Sequence, residues 1–434
     1  MAQSIPVAFL LLRPNYLKSF GPLIDYFVTE RADEFRVMIL VPLWEPWKPE
    51  FSVDPEDIRS RWQDRISVVE LPDVPTLADL MRRGAFAAFL NLDALVAGMS
   101  GDDVRALRDA SRHGGVKWIA LPELFSQDQI VVDDPQAALD LWDVVCTVGP
   151  RSVRYIDRKL SASDPDVARA VRDRLVITGY PELDGLQNLR DARTLRNKYG
   201  LPTERPIVYV STAPAFHPYI DGGWRLRGMK MRFREEMELS LRTVVGYAAT
   251  LGHPLLLSYR RYLSALRQFA DRNDACLVAK TRAKHHDPAF LGEYLDHVFG
   301  DRCFYPFTTL ELLSVSSLYF GFYSGTVLEA MALGLYSITA LFLPPSIVQP
   351  SAGWRRQLAY CASGAGGLWN SPGVSSVIAG DRYAARAELK TFEESRLQDY
   401  TVDDVHRDAV FGDFVSHVGR SSERVADTVA ECCG

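Results

Sequence analysis

The sequence predicts an α/β protein of two doubly wound parallel sheets followed by a helical tail. Three observations lead there. At 434 residues the chain exceeds what one ordinary core organises, so two or three domains are expected. Short apolar runs alternate with helical patterns, which implies right-handed crossovers and open sheets. The runs themselves, such as VMILV and WIAL, are apolar at successive positions, as in strands covered on both faces.

The first half places candidate strands at Val7–Leu12, Val37–Val41, Ile66–Leu71, Phe86–Leu90, Trp118–Leu121 and Val144–Val148. Helical patterns lie between them, as at Leu17–Glu30 and Asp103–His113. A second series starts after Val176, where LVIT leads into the turn-rich GYPELDGL and a polar helix over Asn188–Tyr199. Further strands are expected at Ile207–Ser211, Pro254–Ser258, Ala275–Lys280, Tyr319–Tyr323 and Tyr336–Ala340, with a helix around Arg234–Leu251. The economical division is a Rossmann-like domain over residues 1–182, a second over 183–382, and a helical tail over 383–434 that packs back across the hinge.

Composition narrows the function. The chain is 47% hydrophobic and 24% charged, as in a globular protein, and its net charge of −6 argues against general nucleic-acid binding. Local basic clusters at Arg225–Arg234 and Lys280–Lys284 still suit an anionic ligand. Pro6–Leu12 and Tyr336–Pro345 fall far short of the roughly 20 apolar residues that cross a bilayer. The opening MAQSIPVAFLLLRP reads as a first strand and not as a signal peptide. Six cysteines without CxxC spacing suggest thiols in a reducing cytoplasm.

The most informative stretch is YFGFYSGTVLEAMALGLYSIT, Tyr319–Thr339. A strand runs into Ser324-Gly325-Thr326, and a helix starts at once. Small residues at such a turn expose backbone N–H groups at the positive end of a helix, an arrangement that binds phosphate. Glu329, one turn on, can accept from two ribose hydroxyls. The alternative is a plain helix cap, with Glu329 capping reciprocally.

This stretch resembles the donor-binding segment of GT-B-fold glycosyltransferases, S-x-x-x-x-E-A-x-x-x-G-x-P. VITGYPELDGL resembles the strand and turn that open the second domain of CDP-glycerol glycerophosphotransferases and UDP-N-acetylglucosamine 2-epimerases. RTLRNKYGLPTERPIVYVST is similar to their following helix, G-L-P and long strand. The matches cover residues 175–345 in the family's order. The resemblance implies two Rossmann-like domains facing across a cleft, with a donor nucleotide lying mainly on the second. By matched position Ser324, Gly325 and Thr326 would contact its diphosphate, Glu329 its ribose, and Ser211 and Thr212 would line the same cleft. Lys280 falls where relatives carry a basic or histidine-containing stretch. Tyr305–Thr309, Thr308 included, fall where related folds hold the base, although packing also explains those aromatics.

The stretch Ala279–Pro288 supports an anion site in its own right. Lys280, Arg282, Lys284, His285 and His286 follow a buried strand, and strand carboxyl ends face the ligand crevice of an α/β sheet. Positioned cations stabilise a leaving phosphate; the alternative is a solvated loop before a helix capped by Asp287. On the acceptor side a general base is required, and Asp93 and Glu123 stand at strand ends, with a surface or capping role equally open for Glu123. Arg13, Asn15 and Tyr16 follow the first strand, where they can contact donor or acceptor. The Gly-, aromatic- and Arg-rich stretch between Pro214 and Arg234 suits a sugar or an anion, or is a surface loop. The lone Asp-x-Asp, Asp164-Pro165-Asp166, reads as a helix start, so neither a metal nor another cofactor is expected.

The expectation is therefore a metal-independent glycosyltransferase that uses a UDP-, CMP-, CDP- or GDP-linked donor on a glycan or lipid-linked acceptor, in bacterial surface polysaccharide synthesis. It would be cytoplasmic, with contact at the inner face of the membrane left open. The family's Trp-His-Gly and the epimerases' first-domain motifs are missing, which weighs against polyol-phosphate transfer and epimerisation. A non-catalytic binding protein of the same fold stays open.

Overall fold

The computed structural model describes residues 4–44, 53–92, 101–122, 135–212, 259–281, 289–300, 305, 307–322, 324–340, 367–378 and 382–434. The chain divides into two compact units. One holds Met1–Asn188, Cys303–Phe307 and Gly412–Gly434, and the other holds Leu189–Arg302 and Thr308–Phe411.

The first unit contains strands β1 (Ile5–Leu10), β2 (Phe35–Pro42), β3 (Ile66–Leu71), β4 (Ala88–Asn91), β5 (Lys117–Ala120), β6 (Val144–Thr147) and β7 (Leu175–Ile177). They form a seven-stranded sheet in the order β3-β2-β1-β4-β5-β6-β7, parallel at every pairing. Helices α1 (Leu17–Thr29), α2 (Pro55–Trp62), α3 (Val74–Arg82), α4 (Gly101–Gly114), α5 (Pro135–Leu141), α6 (Pro150–Leu160) and α7 (Pro165–Arg172) connect them. Their starts obey local chemistry: Asp54, Asp73 and Asp164 each accept a first-turn N–H of α2, α3 and α7. Asp164, the first residue of the Asp-x-Asp, thus serves as a helix cap, accepting from Asp166 N at 2.8 Å and Val167 N at 3.3 Å.

Strand β1 is central and apolar, and α1 lays Phe20, Leu23, Ile24 and Phe27 over it at the i, i+3, i+4, i+7 spacing, all fully buried. Phe9 meets Phe20 and Phe27 edge-on at 5.2 and 6.0 Å between ring centres. Burying each such ring contributes about 1.5–3 kcal/mol.

The resemblance reads β7, residues 175–177, as opening the second domain, while the division at 182 keeps it in the first; it pairs with β6 and completes the first sheet. The turn after it docks the end of the chain, where α14 (Ser421–Cys433) returns to the first unit. Gly179 has φ +92, and a Cβ there would stand 2.3 Å from the Ser416 carbonyl oxygen. Asp184, its carboxyl pushed up by burial, accepts Ser421 N at 3.0 Å and Ser422 N at 2.6 Å at the start of α14. Val425, Ala426 and Val429 of α14 join the core of this unit.

A second long-range insertion is Tyr305. Its ring stacks on Trp62 at 6.4 Å, its hydroxyl donates to Asp25, and Trp62 Nε1 donates to the same carboxylate at 2.6 Å. Burial, and then the Asp25 carboxylate, push the phenol well above the ordinary tyrosine range. Gly21 makes this seat: a Cβ there would lie 2.3 Å from the Tyr305 ring. Tyr305 is therefore a packing residue of the first unit, and its hydroxyl is already engaged by Asp25.

The second unit contains helix α8 (Ala192–Lys198), strand β8 (Ile207–Ser211), helix α9 (Tyr259–Arg272), strands β9 (Cys276–Lys280) and β10 (His297–Phe299), and helix α10 (Thr308–Ser314). Strand β11 (Leu318–Gly321), helix α11 (Thr326–Ala332), strands β12 (Ser337–Ala340) and β13 (Ser375–Ile378), and helices α12 (Arg382–Glu394) and α13 (Asp404–Phe414) follow. Its six strands run in the order β10-β9-β8-β11-β12-β13, parallel at every pairing. Tyr259, Tyr262, Leu266 and Phe269 of α9 bury against Val208, Val210, Phe320 and Phe322, and Phe269 stacks on Phe392 of α12 at 4.5 Å. Strands β10 and β13 are additions to the sequence expectation. The helix expected around residues 234–251 and the strand at 254–258 lie outside the described residues.

Two outcomes follow from this packing. Gly21→Ala is expected to destabilise the first unit by about 1–3 kcal/mol through overpacking, with part of the loss recovered in Gly21→Ala/Tyr305→Ala, read as denaturant midpoints in a double-mutant cycle. Asp143 accepts two bonds from Arg108, at 2.9 and 2.8 Å, and one from Trp118 N at 2.8 Å. Burial pushes its carboxyl up, but these donors outweigh burial and hold it below the ordinary range. Its contribution is therefore complete above the unfolded carboxyl's pKa and is lost as pH falls through the lower folded one. Asp143→Asn should cost about 3 kcal/mol at neutral pH by leaving Arg108 without its countercharge, and should flatten the acid limb of stability measured against pH.

Candidate functional site

The second sheet determines where a ligand can sit. All six strands are parallel, so their carboxyl ends share one edge. Strand β8 is first in chain order but lies inside the sheet, with β9 and β10 on one side and β11 to β13 on the other. The order reverses between β8 and β11, and in open α/β sheets the crevice forms at that reversal.

The sequence candidates gather along this edge. Ser211 ends β8 directly opposite Lys280, which ends β9. Val210 pairs with Phe320 of β11, so Gly321 comes next beside Ser211. Three residues later stands Ser324. Its Oγ accepts Thr326 N at 3.3 Å and lies 3.0 Å from Thr326 Oγ1. The Thr326 amide thus has a local partner, and α11 spans seven residues. What the turn presents is a pair of adjoining hydroxyls rather than a row of open amides. Glu329 lies one turn into α11 and is 6% exposed.

Thr212 is the most pointed of these residues. It is 1% exposed, and its hydroxyl has no hydrogen-bond partner among the described residues. A buried hydroxyl left unmatched costs about 1–3 kcal/mol, and here it stands at the strand reversal, beside Ser211. Tyr319 is a residue that sequence reasoning passed over. It stacks on Tyr209 at 6.2 Å, and its ring lies along the strand with the hydroxyl 2.2 Å from where a Gly321 Cβ would stand. Glycine at 321 thus admits a phenol to the carboxyl edge. The signal was the Tyr-x-Gly spacing at the end of an apolar strand.

Other candidates are placed differently. Thr308 is buried at the start of α10 with its hydroxyl beside that of Tyr199, which Glu311 also engages. On the first unit, Arg13 and Asn15 form the turn after β1, on the carboxyl edge and next to β4, where that sheet also reverses. Tyr16 is 4% exposed and packs edge-on against Phe20 at 5.8 Å. Asn91, which ends β4 and is 1% exposed, shares this edge and was missed in the sequence; the polar residue closing the apolar run FLNL marks it. Asp93, Glu123, Arg282, His285, His286 and the stretch between Pro214 and Arg234 lie outside the described residues. Among the described residues no group of three or more His, Cys, Asp or Glu side chains is arranged to hold a metal ion, and no helix is long and apolar enough to cross a membrane.

No protein-family model matches the sequence, and no curated protein matches it. Solved structures do match, over nearly the whole chain. A Listeria monocytogenes protein assigned as a UDP-N-acetylglucosamine 2-epimerase superimposes with a TM-score of 0.54 at 10% identity, covering 99% of this chain and 96% of its own. The wall teichoic acid polymerase TagF superimposes at 0.52 and 13% identity, covering 99% of this chain and 88% of its own. A glycosyltransferase from Rickettsia africae superimposes at 0.51 and 8% identity, with 99% of each chain covered. The fold is of the GT-B type. At such identities the GT-B likeness concerns architecture alone.

The unmatched hydroxyl at Thr212 makes a distinctive forecast. Thr212→Val keeps the shape and removes a group that has no partner among the described residues, so thermal unfolding should show stability unchanged or raised by about 1 kcal/mol.

Proposed function

We propose that this GT-B chain is a metal-independent glycosyltransferase that takes a sugar from a nucleotide-activated donor held on the second unit. The observation that carries the reading is the set of polar groups at the strand reversal: Ser211, Lys280 and the Ser324–Thr326 hydroxyl pair, with the buried, unmatched Thr212 hydroxyl among them. Phosphate oxygens supply the acceptors that hydroxyls and an ammonium group need. Glu329 is the candidate for the ribose hydroxyls. Metal independence is proposed because the lone Asp-x-Asp of the sequence is a helix start, with the Asp164 carboxylate capping α7.

In the transfer step the acceptor oxygen attacks the anomeric carbon, and the bond from that carbon to the donor phosphate oxygen breaks. The leaving nucleotide keeps the bonding electrons, and Lys280, with His285 or His286 as further candidates, stabilises the charge it gains. The acceptor proton passes to a base of the first unit, for which Asp93 and Glu123 are the candidates. Arg13, Asn15 and Tyr16 are the acceptor-side candidates, and the acceptor class proposed is a glycan or lipid-linked glycan precursor of a surface polysaccharide.

A thermal-shift and calorimetric series with UDP-, CMP-, CDP-, GDP- and dTDP-linked sugars tests this. One donor should stabilise the protein, and Lys280→Ala, Thr212→Val and Thr326→Val should each weaken its binding about tenfold, or 1.4 kcal/mol. If no nucleotide binds, or the three variants bind like the parent, the proposed site is wrong.

The full-length likeness to a 2-epimerase favours a second reading, in which the enzyme acts on the donor alone. Donor consumed without any acceptor would establish it. Donor bound but never consumed would point to a binding protein.

A further inference from the structure

The second sheet has two unlike faces, because strand side chains alternate between them. Val208, Val210, Ala279, Phe320 and Ile338 point to one face and belong to an apolar core. The opposite face carries Tyr209, Ser211, Lys280, Tyr319 and Thr339. The stacking of Tyr319 on Tyr209, with ring centres 6.2 Å apart, fixes those two on the same side.

Register then puts the carboxyl ends of this face in one row. Ser211 pairs with Lys280, and Gly321 pairs with Thr339. Gly321 follows Phe320, the partner of Val210, and so stands beside Ser211. It has no side chain of its own, and the Tyr319 ring takes the place: a Cβ at residue 321 would overlap the phenol Cζ and hydroxyl. Across β9, β8, β11 and β12 the row therefore reads ammonium, hydroxyl, phenol, hydroxyl. At about 4.8 Å per strand it spans on the order of 14 Å.

Packing alone does not ask for this row. Phenylalanine would stack on Tyr209 as well as tyrosine does, and valine would fill the place of Thr339. Tyr319 is 1% exposed and Thr339 2%, and a polar group that deep costs stability unless it is hydrogen-bonded. All four groups of the row carry donors, whereas ionised phosphate oxygens are acceptors.

We propose that the Tyr319 phenol, seated by Gly321 and with Thr339 beside it, is a phosphate-binding group that extends the Lys280–Ser211 pair along the sheet edge. The phenol donates its O–H to a phosphate oxygen and keeps its proton. This role rests on the nucleotide reading above and adds two residues to it that the sequence did not mark.

Calorimetric titration of the full chain with UDP, CDP, GDP, dTDP and CMP tests it. Tyr319→Phe keeps the ring on Tyr209 and removes the hydroxyl, and Thr339→Val likewise keeps the shape. Each should weaken the nucleotide that binds about tenfold. Ser337 provides the control. It lies on the same face two residues before Thr339, is 0% exposed, and has its hydroxyl 3.5 Å from Leu335 O. Ser337→Ala should bind like the parent. If Lys280→Ala weakens binding while Tyr319→Phe and Thr339→Val bind like the parent, the phenol role is wrong and the nucleotide reading stands. If Ser337→Ala weakens binding as much as Tyr319→Phe, the loss comes from loosened packing and the role is likewise overturned. A parent that binds none of the five nucleotides overturns the nucleotide reading and this role together.

Discussion

The second unit depends on β8 being paired in parallel on both sides. A strand placed first in the chain but inside its sheet forces the order to reverse beside it, and parallel pairing brings every strand ending to one edge. Strands β8, β9 and β11 are buried and apolar for most of their length, so the carboxyl edge is where polar groups can collect. Ser211 and Thr212, Lys280, and the hydroxyls after β11 are polar for that reason. Topology singles out this candidate edge before any side chain is considered, and Thr212 adds a buried hydroxyl unmatched among the described residues.

Much of this frame was legible in the residues, and its failures have physical causes. Ile66–Leu71 and Ile207–Ser211 stand out as strands because their apolar runs are bounded by polar breaks. Strand β10 escaped notice because it has three residues and its middle one, Val298, is 39% exposed, so no buried-strand pattern exists to be seen. In β13 two serines precede the apolar pair for a similar result. Strand β7 was visible as a strand, but the resemblance tied it to the second domain while the division at 182 kept it in the first, since a parallel strand carries no mark of its neighbours. On the site, the Ser324 turn and Lys280 were legible because each directly follows an apolar run. The orientation of Tyr319 over Gly321 depends on which face of the sheet it occupies, and strand alternation alone does not mark that face.

The first unit shows a different kind of determinant, glycines that serve residues far along the chain. Gly21 makes room for Tyr305, Gly149 for Phe414, and Gly179 for Ser416 and Ser421. Each is a close approach between segments that no local pattern connects. This is why the sequence places Gly21 inside the helical pattern Leu17–Glu30 without marking its purpose, while in the fold it is the seat of an aromatic ring.

The return of α14 also governs how the molecule is born. The core of the first unit is closed by Val425, Ala426 and Val429, which are synthesised after the entire second unit. At typical translation rates the emerging amino-terminal half waits on the order of tens of seconds for its last helix. Over that interval the apolar side of α1 that α14 will cover faces solvent, open to chaperones. The second unit is positioned to mature first, and the earlier-made half to finish last.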